Sequence, residues 1–127
     1  MQDRHIYEWA IVRLVPKVER GEFINIGVIL YSRKKNFLAI KYHIDTNRLE
    51  LFSEEIDVDI IRKYLQAWEI VCKGGREGGK IGGLEIHLRF RWLTSTRSTI
   101  IQCSKVHSGL CSDPQIVLDQ LFEKYVL

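Results

Sequence analysis

Two apolar runs near the start of the chain do most to limit the fold: Ile6 to Val15 (IYEWAIVRLV) and Phe23 to Tyr31 (FINIGVILY). Both are crowded with β-branched and aromatic side chains, which suit a pleated, packed surface. Pro16 closes the first, so it reads as a strand covered on both faces. The second is expected to point Ile24, Ile26, Val28 and Leu30 to one side, with Asn25 and Gly27 on the other. Glycine inside a strand marks a bulge or the close approach of another backbone, and Asn25 is placed to satisfy the local disruption. Lys17 to Glu22 reads as a connecting loop. Ser32 to Asn36 is a hairpin-length link to Phe37–Ile44, where Leu38, Ile40, Tyr42 and Ile44 share a face. Three strands with short links predict an antiparallel meander.

Helical spacing follows. Asp45 is expected to cap a short turn through Leu51, and Asp57 a longer helix with Asp59 in its first turn. Ile61, Tyr64, Leu65, Trp68, Val71 and Cys72 recur at steps of three and four, one apolar stripe to lie across the sheet; Gly74-Gly75 stops it. Leu84 to Trp92 (LEIHLRFRW) alternates apolar and polar without a fault and predicts a strand buried on one side, with Thr99 to Cys103 as a fifth, shorter strand. Asp113-Pro114 is a cap and first-turn pair that opens a final helix with Val117, Leu118, Leu121, Phe122 and Tyr125 on one face. The expected fold is a single α+β domain over 1–127, an antiparallel sheet of about five strands with two main helices packed on it. Ile24, Ile26, Val28, Leu38, Ile40, Leu88 and Phe90 are expected to make its apolar face, under the helices of Trp68 and Phe122.

Composition fits that picture. At 127 residues, 46% hydrophobic, 28% charged and with two prolines, the chain is neither disordered nor long enough for a second core. No apolar run nears the roughly 20 residues of a membrane span. The polar start, MQDRH, lacks a signal-peptide core, and three cysteines are too few for a disulfide scaffold. A reducing cytoplasm is the expected compartment.

Several motifs invite a sharper chemistry and lose it on inspection. Gly74 through Lys80 fits G-x-x-x-x-G-K, but Ile81 stands where a phosphate-binding loop needs a metal-holding hydroxyl, and the order is helix, loop, strand. A helix stop and surface loop is the better reading. Cys103, His107 and Cys111 are four residues apart, yet zinc would want a fourth ligand and paired C-x-x-C, and Ser104, Ser108 and Gly109 argue for a loop. Cys111 beside His107 could be a thiolate and its base, near a helix N-terminus that would lower its pKa; a small buried hydrophobe is the commoner use of such a cysteine. No metal, cofactor or catalytic residue is assigned. Trp9, Trp68 and Trp92 fall at core positions.

Charge is more informative. The chain carries +3 overall; four positive charges and no acid lie between Ile86 and Ser112, so the remainder carries −1. Arg89, Arg91, Arg97 and Lys105 supply them, with His87 and His107 in reserve. On the expected strand His87, Arg89 and Arg91 share the face opposite the core, with Arg97, Ser98, Thr99 and Gln102 close by. Guanidinium forks beside hydroxyl and amide donors are what a phosphate or carboxylate needs. The blander alternative is a solvated face paired to the five acids of Glu50 to Asp59.

Tyr7 to Val15, Glu22 to Tyr31, Phe90-Arg91-Trp92-Leu93, Arg97-Ser98-Thr99, and Val106 to Cys111 followed by Asp113-Pro114 resemble an uncharacterised bacterial family named only as a domain of unknown function (three-zero-three-seven). The resemblance spans nearly the whole chain. It implies no activity. It does imply an encoded neighbour, a HipA-like serine/threonine kinase, and hence a small cytosolic partner or regulator. Sequence therefore leads to a non-catalytic, partner-binding protein with a basic anion-binding surface made by Arg89, Arg91, Arg97, Ser98, Thr99, Gln102 and His107. The alternative is an enzyme or binding module for nucleic acid or a phosphorylated substrate, with Arg91 and Arg97 on the anion and His107 as general base. Oligomeric state is left open.

Overall fold

A computed structural model describes residues 3–16, 21–52, 56–97 and 99–127; residues 17–20 of the expected loop Lys17 to Glu22, part of the acidic stretch (53–55) and Ser98 lie outside them. In chain order the elements are β1 (His5–Leu14), β2 (Ile24–Ser32), β3 (Phe37–Tyr42), α1 (Thr46–Phe52), α2 (Val58–Lys73), a single 3-10 turn at Arg76–Gly78, α3 (Gly79–Gly82), α4 (Ile86–Thr94), β4 (Ile101–Cys103), β5 (His107–Cys111) and α5 (Pro114–Tyr125). The five strands form one antiparallel sheet in the order β3-β2-β1-β4, an α+β architecture. β1 is long enough to carry two short strands on one edge, β4 against Val12–Leu14 and β5 against His5–Trp9. Between them Ser104 completes the ladder: its N–H donates to the Ile11 carbonyl, and its Oγ accepts from the Ile11 N–H, each at 2.8 Å.

The caps form as their chemistry requires. Asp57 accepts from the N–H groups of Asp59 and Ile60 at the start of α2, and Asp113 from those of Gln115 and Ile116 at the start of α5, with Pro114 in the first turn. Gly74, at φ 79°, ends α2 in a backbone conformation that glycine alone adopts freely.

The two main helices lie on opposite faces of the sheet, which corrects the expectation of one shared apolar face. α2 buries Ile61, Leu65, Trp68, Val71 and Cys72 against Ala10, Val12, Leu14, Ile29 and Tyr31. Each such side chain contributes about 2 kcal/mol of hydrophobic stabilisation. α5 buries Leu118 and Phe122 against Val28 and Leu30 on the other side. The cause is a bulge at Gly27. Val12 faces Gly27 and Arg13 faces Asn25, so Ile26 has no partner of its own. One extra residue shifts the phase of the alternation. Ile24 and Ile26 therefore face α2, as do Ile29 and Tyr31, while Val28 and Leu30 face α5. Gly27 is also the close approach that glycine marked, since a Cβ there would lie 2.8 Å from the Lys41 carbonyl oxygen.

Two further elements differ from expectation. Leu84–Trp92 contains α4, not a strand. Its buried residues, Phe90 and Leu93, and half-buried Ile86 recur at helical steps, while Leu84, Leu88 and Trp92 are partly exposed. His107–Cys111, read as a loop, is β5, recruited by the free edge of β1.

Candidate functional site

A cleft of about 730 Å³ opens on the α2 face, within the range of small-ligand sites. Ile6, Glu8 and Tyr31 form its floor, the turn from Arg33 to Asn36 one side, and the start and exposed face of α4 the other. The turn is closed by the Asn36 N–H donating to the Arg33 carbonyl at 3.0 Å, and Asn36 takes φ 49°, which asparagine tolerates. Beyond β2, Arg33 lines the same cleft as Tyr31. From the other side comes Arg91.

The Tyr31 ring is buried and stacks on Phe90, centroids 5.2 Å apart. Burial pushes its hydroxyl pKa up, with Glu8 adding to the shift while Arg33 and Arg91 oppose it. All three charges therefore act on one hydroxyl, which stays protonated at neutral pH and can donate as well as accept. Among the described residues neither Arg33 nor Arg91 forms an ion pair. His87 lies at the same wall with Nδ1 3.5 Å from Glu85 Oε2. The cleft thus offers an anionic group two guanidinium groups and a phenol, with Ile6 and Leu84 as apolar surface and the carboxylates of Glu8 and Glu85 along its lining.

The sequence-predicted residues fall into separate surroundings. Arg89 lines the cleft, but its guanidinium turns to the C-terminal end of α2, donating to the carbonyls of Val71 (2.9 Å) and Cys72 (2.8 Å), and to that of Leu84 (3.0 Å) just before α4. The Val71 and Cys72 carbonyls carry the negative end of the α2 dipole, and that of Leu84 precedes α4. A Cβ on Gly74 would meet Arg89 Nη1 at 2.7 Å, so the stop of α2 also makes room for this cap. Arg97 sits over Trp92 and Trp68, 4.8 and 5.2 Å from their ring centroids, and donates to the Trp92 carbonyl and to Ser95 Oγ. Thr99 Oγ1 donates to the Ile101 carbonyl (2.8 Å), and Gln102 Nε2 to the Thr99 carbonyl (2.9 Å). Ser98 is outside the described residues. His107 lies 4.9 Å from Trp9, which itself stacks on Tyr125 of α5, so it occupies the sheet face opposite the cleft. The structure does not join His107 to Arg91. The acids Asp57 and Asp59 serve α2 itself, one as cap and one paired with Arg62 at 3.1 Å.

The cysteines are not poised as nucleophiles. Burial pushes Cys72 and Cys103 to about 12, and burial with the nearby Asp113 carboxylate raises Cys111, against the lowering expected from its helix. No group of three His, Cys, Asp or Glu among the described residues could hold a metal ion. The glycine-rich stretch folds into a closed turn, with the Gly75 N–H donating to the Gly82 carbonyl at 2.8 Å. Sequence reasoning passed over Tyr31 and Arg33. The available signal was a basic turn, Arg33-Lys34-Lys35, directly after a strand that ends in tyrosine and serine.

Fold and cleft together define a five-stranded antiparallel α+β domain with an arginine-flanked pocket on one face. The chain belongs to the family described as Protein of unknown function (DUF3037), whose model matches residues 9–126. No curated protein and no solved structure matches it. No helix among the described residues is long and apolar enough to cross a membrane.

Proposed function

We propose that this domain is a non-catalytic binding protein that holds an anionic group of a protein partner, a phosphate or carboxylate, in the cleft between α4 and the turn after β2. The carrying observation is the pair Arg33 and Arg91, brought from distant parts of the chain to the lining of one cleft beside Tyr31, neither in an ion pair among the described residues. Charge-assisted bonds from two guanidinium forks are strong and directional, and the apolar Ile6 and Leu84 beside them favour a ligand with carbon surface over a bare ion. A binding role is supported further by the separation of His107 from the arginines and by the raised thiol pKa values. A protein partner is favoured over nucleic acid because Arg89 and Arg97, half of the basic segment, are engaged with backbone carbonyls.

A HipA-like kinase, the neighbour implied by the family resemblance, is the first partner to test, and regulation of that kinase is the role such docking would serve. Binding of the phosphorylated and unphosphorylated kinase should be measured with the wild-type domain and with Arg33→Ala/Arg91→Ala. The proposal expects affinity to fall about tenfold or more in the double variant, the loss of one or more charge-assisted bonds. Equal affinity for wild type and variant contradicts it.

A further inference from the structure

The charged groups of the cleft do not cancel one another in pairs. Arg89 is engaged with backbone carbonyls, and Glu85, at the start of α4, has His87 3.5 Å away. Three charges in the lining have no ion pair among the described residues: Arg33, Arg91 and Glu8. Glu8 is the one of opposite sign. It lies on β1 directly across the ladder from Tyr31, and strand alternation puts it on the α2 face with Ala10 and Val12. There it is half-buried. A carboxylate in the floor of a site for a bare anion would repel the ligand that the arginines attract. A carboxylate that meets a second, positive group of the same ligand would add to binding and select for it. Spacing along the chain says how far apart those two groups stand. Arg33 opens the turn two residues on from Tyr31, about 7 Å of strand. An extended peptide repeats its side chains on one face at the same interval of two residues.

We propose that the cleft takes an extended segment of a protein partner in which a phosphorylated residue and a lysine or arginine stand two positions apart. The phosphate meets Arg33 and Arg91, and the cation meets Glu8. This inference rests on the anion-binding reading of the cleft given above and adds to it the sequence context of the anion. A phosphate without the basic neighbour meets Glu8 as a like charge. The segment that carries both groups leaves none of the three charges unpaired.

The test is calorimetric titration of the whole chain with two phosphoserine peptides. They are identical except for lysine in one and glutamine in the other, at both positions two residues from the phosphoserine. The wild type should bind the lysine peptide about tenfold more tightly, as one added charge pair predicts. Glu8→Gln keeps the shape of the side chain and removes its charge; it should bind the two peptides within about twofold, the residue of screened long-range attraction. Arg33→Ala/Arg91→Ala should lose both. Equal affinity of the wild type for the two peptides, lost from both in Arg33→Ala/Arg91→Ala, overturns the proposal and leaves the anion-binding reading standing. A preference for lysine that survives Glu8→Gln overturns the assignment to Glu8. Tighter binding of both peptides by Glu8→Gln overturns it as well, since the carboxylate then only competes for the arginines. A wild type that takes neither peptide overturns the anion-binding reading and this inference with it.

Discussion

At the junction of α2 and α4 the guanidinium of Arg89 is folded onto three carbonyls, and Arg97 stacks between two tryptophans and a fourth carbonyl. At the cleft, Arg91 and Arg33 line the pocket beside Tyr31 and form no ion pair among the described residues. The side chains are the same; their uses differ. At the junction positive charge substitutes for backbone partners that the end of a helix lacks. At the cleft it is left available. Charge that stabilises the fold should be costly to remove and indifferent to ligands, and charge held for a ligand should behave in the opposite way.

The largest expected effect tests the junction through its buried thiols. Cys72 and Cys103 ionise near 9 in an unfolded chain and at about 12 in the folded one, with burial the main cause. Their folded pKa is raised, so the stability they confer is complete below pH 9 and is lost as pH rises toward 12. Urea midpoints should therefore fall through that window, and Cys72→Ala/Cys103→Ala should flatten much of the decline. A midpoint unchanged across the window would contradict the burial of these thiols.

Next in size is Arg89→Met, which leaves the carbonyls of Cys72 and Leu84 without the Arg89 donor and that of Val71 with the Gly74 N–H alone, and should cost about 3 kcal/mol in urea unfolding. Arg33→Ala/Arg91→Ala should stay within about 0.5 kcal/mol of the wild type. Equal losses in the two variants would erase the distinction between junction and cleft. Ser104→Ala strips the Ile11 N–H of its partner in a buried part of the sheet and should cost about 2 kcal/mol. A smaller loss, about 1 kcal/mol, is expected for Arg97→Ala from the lost stacking on Trp68 and Trp92, read from the same unfolding curves.

The meander and the helices of Trp68 and Phe122 were legible because their signals are local: β-branched runs, aspartate caps and a stopping glycine. α4 was not, because apolar residues four apart, Ile86 and Phe90, satisfy an alternating pattern and a helical one alike; Leu93, just past the alternating run, decides for the helix. β5 was missed because serine and glycine read as loop, and its order comes from a distant edge of β1 that needs a partner. Gly27 marks a bulge or a close approach in the sequence, but the sequence does not say which residue is extra, and a bulge there reverses which side chains face which helix. In the site, Arg91 stood out by charge. Arg33 and Tyr31 did not, since only the hairpin brings them to α4, and nothing in sequence separates an arginine that caps carbonyls from one that faces a ligand.

The most direct measurement of the cleft is a titration of the isotopically labelled domain with phosphoserine peptide, followed by amide chemical shifts. The account predicts shifts concentrated at Tyr31, Arg33, Asn36 and Arg91, little change at Arg97 and His107, and loss of the response in Arg33→Ala/Arg91→Ala. Shifts centred on Lys105 and His107, or a response that survives the double substitution, would contradict it.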